Sequence, residues 1–433
     1  MERCSSRLSN RSISRNSPRN SSANALVSPD QIRVVVRLRP FEGKSCVKSV
    51  QPDSIEIEGL NQPFTFDNVF GTNSTQEEVF NLAVKPSIEG VLQGYNGCVL
   101  AYGQTGAGKS HTMMGPSGSE HSSDKGVIPR MVEYLFDNLP NDHSVKVGFL
   151  EIYNEKVRDL LGDNQDLKVH DIAGGGGFYV KGLNEVSVAC AEEVYQIMHK
   201  GDKNRSVAAT NMNSRSSRSH SVFLVDVEGP KTRAKLVLVD LAGSEKVAKT
   251  GARGTLLEEA ASINKSLSAL GMVVNALSSE SPQHVPFRDS KLTRILQDSL
   301  AGNSRTCLIL HCSPSIVHTS ETVSTLRFGT RAKEVKTLPR MNIQLKEISQ
   351  ADFETHRELN MFLETQRDFL IELTDRDRQR YVRQRSQIEA LTVQLMSYES
   401  KAKKDESYIT GKLWGLESRV AQLCGSNTDS GSD

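Results

Sequence analysis

An apolar run, Cys98–Tyr102, leads straight into Gly103-Gln-Thr-Gly-Ala-Gly-Lys109-Ser110, and no other feature constrains this chain so tightly. GxxxxGK[ST] between a strand and a helix makes a loop whose glycines let backbone N–H groups turn toward phosphates. The start of the following helix adds its dipole to the same attraction. Gly103, Gln104, Thr105, Gly106, Ala107 and Gly108 therefore read as a phosphate cradle. Lys109 reads as the cation for β- and γ-phosphates, and the Ser110 hydroxyl as a magnesium ligand. The motif specifies a nucleotide, but neither its base nor its use.

The surrounding pattern supplies the matching architecture. Ile32, Val34, Val36 and Leu38 alternate as in a strand, and Val145–Tyr153, Ser221–Val227, Ala234–Asp240 and Thr306–Cys312 read as further buried strands. Helices fall between them. One begins near Thr75, where Thr75 and Glu78 are spaced as a capping box. Another runs from about Leu256 to Leu277, with Ala260, Ile263, Leu267, Leu270, Val274 and Leu277 on one face. Such alternation predicts an α/β fold, a central sheet with helices on both faces.

Two more segments sharpen the nucleotide reading. Lys235–Asp240 ends in Asp240-Leu-Ala-Gly243-Ser-Glu245, which puts a carboxylate at the strand's C-terminal end, where a magnesium-side acid belongs. The Gly243 amide is placed to sense a γ-phosphate. Upstream, Asn213-Ser-Arg-Ser216-Ser217-Arg218-Ser219-His220 gathers hydroxyls and a guanidinium before a strand. Ser216 and Ser217 suit a γ-phosphate, magnesium or an attacking water, and Arg218 and Glu245 are candidates to pair when the site closes. A guanine-specific protein would need Asn-Lys-x-Asp after a strand. Asn264-Lys265-Ser266-Leu267 lacks the aspartate and lies in a helical pattern, so that class is excluded.

Charge excludes other classes. Charged residues make up 24% of the 433, yet the net charge is +1, which removes a nucleic-acid function based on bulk charge. No run of eighteen apolar residues predicts a membrane span. Seven scattered cysteines fit neither a zinc site nor a disulfide framework, and reduced thiols in a soluble intracellular protein are expected.

These segments, in this order and spacing, resemble those of kinesins. So do Arg37-Leu-Arg39-Pro40, Asn264-Lys-Ser-Leu-Ser-Ala-Leu-Gly271 and Val285-Pro-Phe-Arg-Asp-Ser-Lys291-Leu-Thr-Arg294-Ile-Leu-Gln-Asp-Ser-Leu300. The resemblance covers about Ile32 to Lys333. It is closest to the conventional heavy chains, notably at Ser244-Glu-Lys-Val-Ala-Lys249-Thr-Gly251. It implies the kinesin motor fold, a mixed sheet flanked by helices, working as a microtubule-stimulated ATPase in the cytoplasm on the microtubule cytoskeleton. ATP and Mg2+ are the implied cofactors. Arg37, Arg39 and Pro40 would hold the adenine with His111 stacked on its other face, and Ser110, Ser217 and Asp240 would serve the metal, Asp240 through water. Ser217, Arg218, Gly243, Glu245 and Asn264 would organise the closed state and the lytic water. Lys156, Lys246, Lys249, Arg288, Lys291 and Arg294 would meet the acidic microtubule surface.

The resemblance also implies a motor domain at 31–333 and a neck linker at 334–346, with Val335 as its first apolar anchor and Asn342 and Ile343 as its distal latch. Three positions depart from the pattern: Thr337 where asparagine is usual, Pro339 within a would-be strand, and Arg253 where an acidic or small residue is usual. Pro339 is tolerable only where the missing N–H faces away from the pairing edge.

The ends read separately. Residues 1–30 are Ser- and Arg-rich, with Arg3, Arg7, Arg11, Arg15 and Arg19 every fourth residue, and hold too little apolar surface to order themselves. A solvated tail is the simpler expectation; a basic arm for an acidic partner, or a kinase target, is the alternative. Residues 352–424 carry heptad-like blocks at Leu359–Leu373, Ile388–Tyr398 and Leu413–Leu423, out of one register. A coiled coil that makes a homodimer is expected, weakest over Asp375–Gln387. A polar tail follows at 425–433.

Overall fold

The computed structural model describes residues 30–116, 118, 122–172, 177–209, 217–245, 255–279, 284–343 and 375–402. The strands, in chain order, are β1 Asp30–Gln31, β2 Arg33–Leu38, β3 Val47–Val50, β4 Ser54–Ile57, β5 Phe64–Thr65, β6 Asn68–Phe70, β7 Gly97–Gly103, β8 Ser144–Tyr153, β9 Lys156–Asp159, β10 Lys168–Asp171, β11 Phe178–Lys181, β12 Glu185–Val188, β13 His220–Glu228, β14 Arg233–Asp240, β15 Arg305–Cys312 and β16 Lys336–Thr337. The helices are α1 Gln76–Val79, α2 Lys85–Leu92, α3 Lys109–Met113, α4 Val127–Asn138, α5 Ala191–Ala209, α6 Thr255–Leu277, α7 Lys291–Ile295, α8 Gln297–Ala301, α9 Thr319–Lys333 and α10 Asp375–Ala402.

A nine-stranded mixed sheet forms the centre, ordered β12-β8-β13-β14-β7-β15-β2-β6, with β9 added to β8. The β14-β7-β15-β2-β6 half is parallel, whereas β12, β8, β13 and β14 pair antiparallel. Parallel strands covered by helices are buried on both faces, and β2 is the strand expected there, apolar on both sides. Val34 and Val36 face one core; Val35, also fully buried, faces the other. The same division separates Leu308 and Leu310 from Cys307 and Ile309 in β15, and Leu100 from Val99 and Ala101 in β7. Each buried Val or Leu side chain stabilises by about 1.5–3 kcal/mol, so this two-sided core holds the strand ends in place.

Local signals matched the elements. Thr75 Oγ1 accepts from Glu78 N at 3.1 Å while the Glu78 carboxylate accepts from Thr75 N at 2.9 Å, the reciprocal cap of α1. On α6, Leu267, Leu270 and Val274 are buried and Leu277 packs partly against them. α10 runs helically through Asp375–Gln387, the stretch poorest in apolar groups, and Arg385 pairs with Glu389 one turn on at 2.7 Å. On that helix Val382, Ile388 and Val393 are exposed. The other two heptad blocks and the residues up to 29 lie outside the described residues.

After α9 the chain returns along the opposite end of the sheet. Val335 is fully buried and its carbonyl accepts from Ile32 N at 3.3 Å. β16 then pairs antiparallel with β1. Leu338 N donates to Gly302 O at 3.3 Å, and Arg340 N donates to the Asn303 side chain. These donors flank Pro339, whose position in the alternation faces the other way, so the missing N–H interrupts neither bond. Thr337 is buried in this packing. Asn342 N donates to Gly94 O at 2.9 Å and Asn342 O accepts from Arg233 N at 3.1 Å.

Candidate nucleotide site

The cradle lies at the C-terminal ends of β7, β14, β15 and β2, the edge where parallel sheets leave a crevice for ligands. Gly103 has φ 147°, and a Cβ there would lie 2.2 Å from His311 O, so only glycine lets β7 turn into the loop. Gly108 has φ 101° and directly precedes α3. Lys109 is buried, and its ammonium donates to Gly103 O at 2.8 Å and Gln104 O at 3.0 Å. Burial lowers its pKa, partly opposed by the Asp240 and Glu245 carboxylates.

Two cavities meet here. One of about 250 Å³ is lined by Thr105, Gly106, Gly108, Lys109, Ser110, His111, Ser217 and Leu241. The other, about 390 Å³, shares Gly108 and His111 as walls and adds Arg39, Pro40, Ser74 and Ala107. A phosphate chain in the first and a base in the second would pass His111. Its pKa is lowered by burial and then by Arg37, with Asp124 opposing, so the ring is held toward its neutral form. Arg39 lies across the cradle, donating to Gly106 O at 2.6 Å.

Arg37, expected at the adenine, lines the same cavity as Arg39 and Pro40. Its buried guanidinium is committed to Gln76 Oε1 at 2.6 Å, Thr112 Oγ1 at 2.8 Å and Ser74 O at 3.3 Å. It therefore braces the wall. Gln76 continues the brace, donating to His111 O at 2.6 Å, and buried His311 reaches Thr112 Oγ1 at 2.7 Å. Gln76, Thr112 and His311 were not singled out in the sequence, because long-range pairing alone gives them a role.

On the metal side, Ser110 Oγ donates to Asp240 Oδ2 at 2.5 Å. Asp240 Oδ1 is buried and has no hydrogen-bond partner among the described residues. A buried carboxylate oxygen left over beside a cradle hydroxyl fits a magnesium site, directly or through water. The Asp240–Glu245 segment is tied to its surroundings at several points. Gly243 N donates to Ser217 O at 3.0 Å and Ser244 N to Gly103 O at 3.2 Å. The Glu245 carboxylate accepts from Thr105 N at 2.8 Å and Thr105 Oγ1 at 2.5 Å. A Cβ on Gly243 would lie 2.2 Å from Thr105 Oγ1 and 2.3 Å from Glu245 Oε2, so a side chain there would displace the Thr105–Glu245 contact. Arg218 is half-buried in the turn beside Ser217; Asn264, half-buried on α6, lines neither cavity. Ser216 lies outside the described residues.

These features form one assembled nucleotide site on a mixed sheet. The kinesin motor domain family matches residues 15–335. The chain belongs to the kinesin motor family. A kinesin heavy chain of Neurospora crassa is 49% identical over 339 residues, covering 73% of this chain and 36% of that protein. Kinesin-like protein 3 of Schizosaccharomyces pombe is 45% identical over 336 residues, covering 72% and 60%. A solved structure described as that of a fast kinesin matches with a TM-score of 0.68 at 48% identity, covering 74% of this chain and 96% of that one. The chain thus spans little more than a third of the Neurospora relative's length.

The basic residues expected at the kinesin filament surface fall partly together. The turn at Asn154 and Glu155, both with positive φ, carries exposed Lys156. Glu155 Oε2 accepts from Lys291 N at 2.8 Å, joining that hairpin to α7. Asp171 at the end of β10 lies 3.1 Å from Arg294 and 3.5 Å from Arg288. Lys156, Arg288, Lys291 and Arg294 are thereby brought to one region; Lys246, Lys249 and Arg253 lie outside the described residues. Among the described residues no helix is long and apolar enough to cross a membrane.

Proposed function

We propose that this chain is an ATP-driven microtubule motor that hydrolyses ATP and converts the cycle into plus-end-directed movement for intracellular transport. The observation that carries it is the use of both ends of the same two strands. β14 ends at Asp240 in the nucleotide site, while Arg233 at its start donates to Asn342 O of the segment after α9. β7 ends at Gly103 in the cradle, while Gly94 and Asn96 just before it bind Asn342. A nucleotide-driven change at one edge has a rigid, buried path to a docked segment at the other.

In the proposed cycle Lys109 and the cradle amides hold the phosphates, and Arg37, Arg39, Pro40 and His111 enclose the base. Ser110, Ser217 and Asp240 would hold Mg2+, which neutralises phosphate charge when bound. Ser217, Arg218, Gly243, Glu245 and Asn264 orient the lytic water; for this the Gly243 amide leaves Ser217 O for the γ-phosphate and Glu245 leaves Thr105 for Arg218. Catalysis by such a site is chiefly positioning and electrostatics. Lys156, Arg288, Lys291 and Arg294, with Lys246 and Lys249, would meet acidic tubulin, and α10 with its neighbouring heptads would pair two copies. Action on microtubules places the protein in the cytoplasm.

The test is ATP turnover with and without microtubules, followed by surface gliding on polarity-marked filaments. Stimulation by orders of magnitude, lost in Lys109→Ala, is expected. Filament binding without stimulated turnover would favour a static crosslinker instead.

A further inference from the structure

His220 is fully buried at the start of β13 and has no part in the chemistry above. It stands between the Asp240–Glu245 segment and α6. On one side Ala242 N donates to His220 Nδ1 at 3.0 Å. An amide can only donate, so Nδ1 carries the lone pair and the neutral ring's proton sits on Nε2. On the other side Nε2 lies 2.8 Å from Ser266 Oγ, which accepts that proton's hydrogen bond. Ser266 is buried on α6, next to Leu267 and one turn before Leu270, both in the core. Ala242 is buried too and precedes Gly243, whose amide donates to Ser217 O. One ring therefore joins the Asp240–Glu245 segment to α6 through two buried hydrogen bonds.

We propose that His220 is a positioning residue that couples the nucleotide-sensing segment to α6: a shift at Ala242 is passed through the imidazole to Ser266, and a displacement of α6 returns by the same path. A two-ended hydrogen-bonded strut transmits displacement in either direction, and coupling between two sites is reciprocal. The inference rests on the motor reading, since α6 packs against α7, which carries Lys291 and Arg294 of the basic region proposed to meet the filament.

The experiment uses the full chain and three variants. Ser266→Ala removes the acceptor with little change in volume. His220→Asn keeps an acceptor for Ala242 N but is too short to reach Ser266. Ser266→Thr retains the hydroxyl. Basal turnover, microtubule-stimulated turnover and filament affinity with ADP and with a non-hydrolysable ATP analogue are measured for each. Ser266→Ala and His220→Asn are expected to keep basal turnover within about twofold, to lose about tenfold of the stimulation, and to narrow the gap between the two affinities. Ser266→Thr is expected to behave as wild type. Wild-type stimulation in both Ser266→Ala and His220→Asn overturns the proposal, as does an equal fall of basal and stimulated turnover, the mark of a merely structural role. A wild-type chain that microtubules do not stimulate refutes the motor reading instead.

Discussion

Glu245 grips Thr105 by two atoms, accepting from its backbone N at 2.8 Å and its hydroxyl at 2.5 Å. The contact bridges residues 140 positions apart and fastens the Asp240–Glu245 segment to the phosphate cradle. Glu245→Ala breaks both bonds and removes the partner proposed for Arg218. Nucleotide binding should survive, because Lys109, Ser110 and the cradle glycines are unaltered, while turnover falls by roughly 100-fold or more. A fluorescent nucleotide titration alongside steady-state turnover separates the two effects. Turnover close to wild type would remove Glu245 from the mechanism.

Asp171 sits between Arg294, 22% exposed, and Arg288, 83% exposed, and supplies a negative charge inside a basic region. Asp171→Asn keeps a hydrogen-bond acceptor for Arg294 and deletes that charge. Filament affinity should rise about two- to fivefold, with a steeper dependence on salt and unchanged basal turnover. Cosedimentation at several salt concentrations measures both. Weaker binding would mean that Asp171 is needed to hold the arginines in place.

Asn342 binds through its side chain to Gly94 O at 3.2 Å, Asn96 Oδ1 at 2.9 Å and Asn303 Nδ2 at 2.6 Å. Asn342→Ala loses all three and should shift docking of residues 336–343 by roughly 1–3 kcal/mol. Gliding should slow several-fold while stimulated turnover falls less, since the nucleotide edge is unaltered. A distance probe at Ile343, which is exposed, reports the docked fraction directly.

Asp298 on α8 has its pKa raised to about 6 by burial, with Lys235 opposing and Asp171 adding. The folded chain then holds this proton more tightly than the unfolded chain does. Stability therefore declines as pH rises from about 4 to about 6, and the cost persists above that. Asp298→Asn should be more stable than wild type at pH 7 by roughly 1–3 kcal/mol and equal to it near pH 4. His220 and His311, both held down to about 3 by burial, act in the opposite sense: they destabilise the fold as pH falls below 6.5. Because that contribution is common to both chains, the difference in melting temperature isolates Asp298.

What the sequence determined was local. The glycine spacing of Gly103–Ser110, the Thr75–Glu78 cap and the apolar runs of β7, β8, β13, β14 and β15 act over a few residues, so each was legible before any fold was known. The carboxylate of Asp240 could be read because a strand end confines it. Tertiary structure decided what depends on pairing across the chain. It bound Arg37 to Gln76 and Thr112, made β2 a two-sided core strand, and drew Asp171 against Arg288 and Arg294. It also set His220 between Ala242 and Ser266. A histidine's two nitrogens acquire distinct roles only when a donor and an acceptor are brought to them, and here those partners lie 22 and 46 residues away.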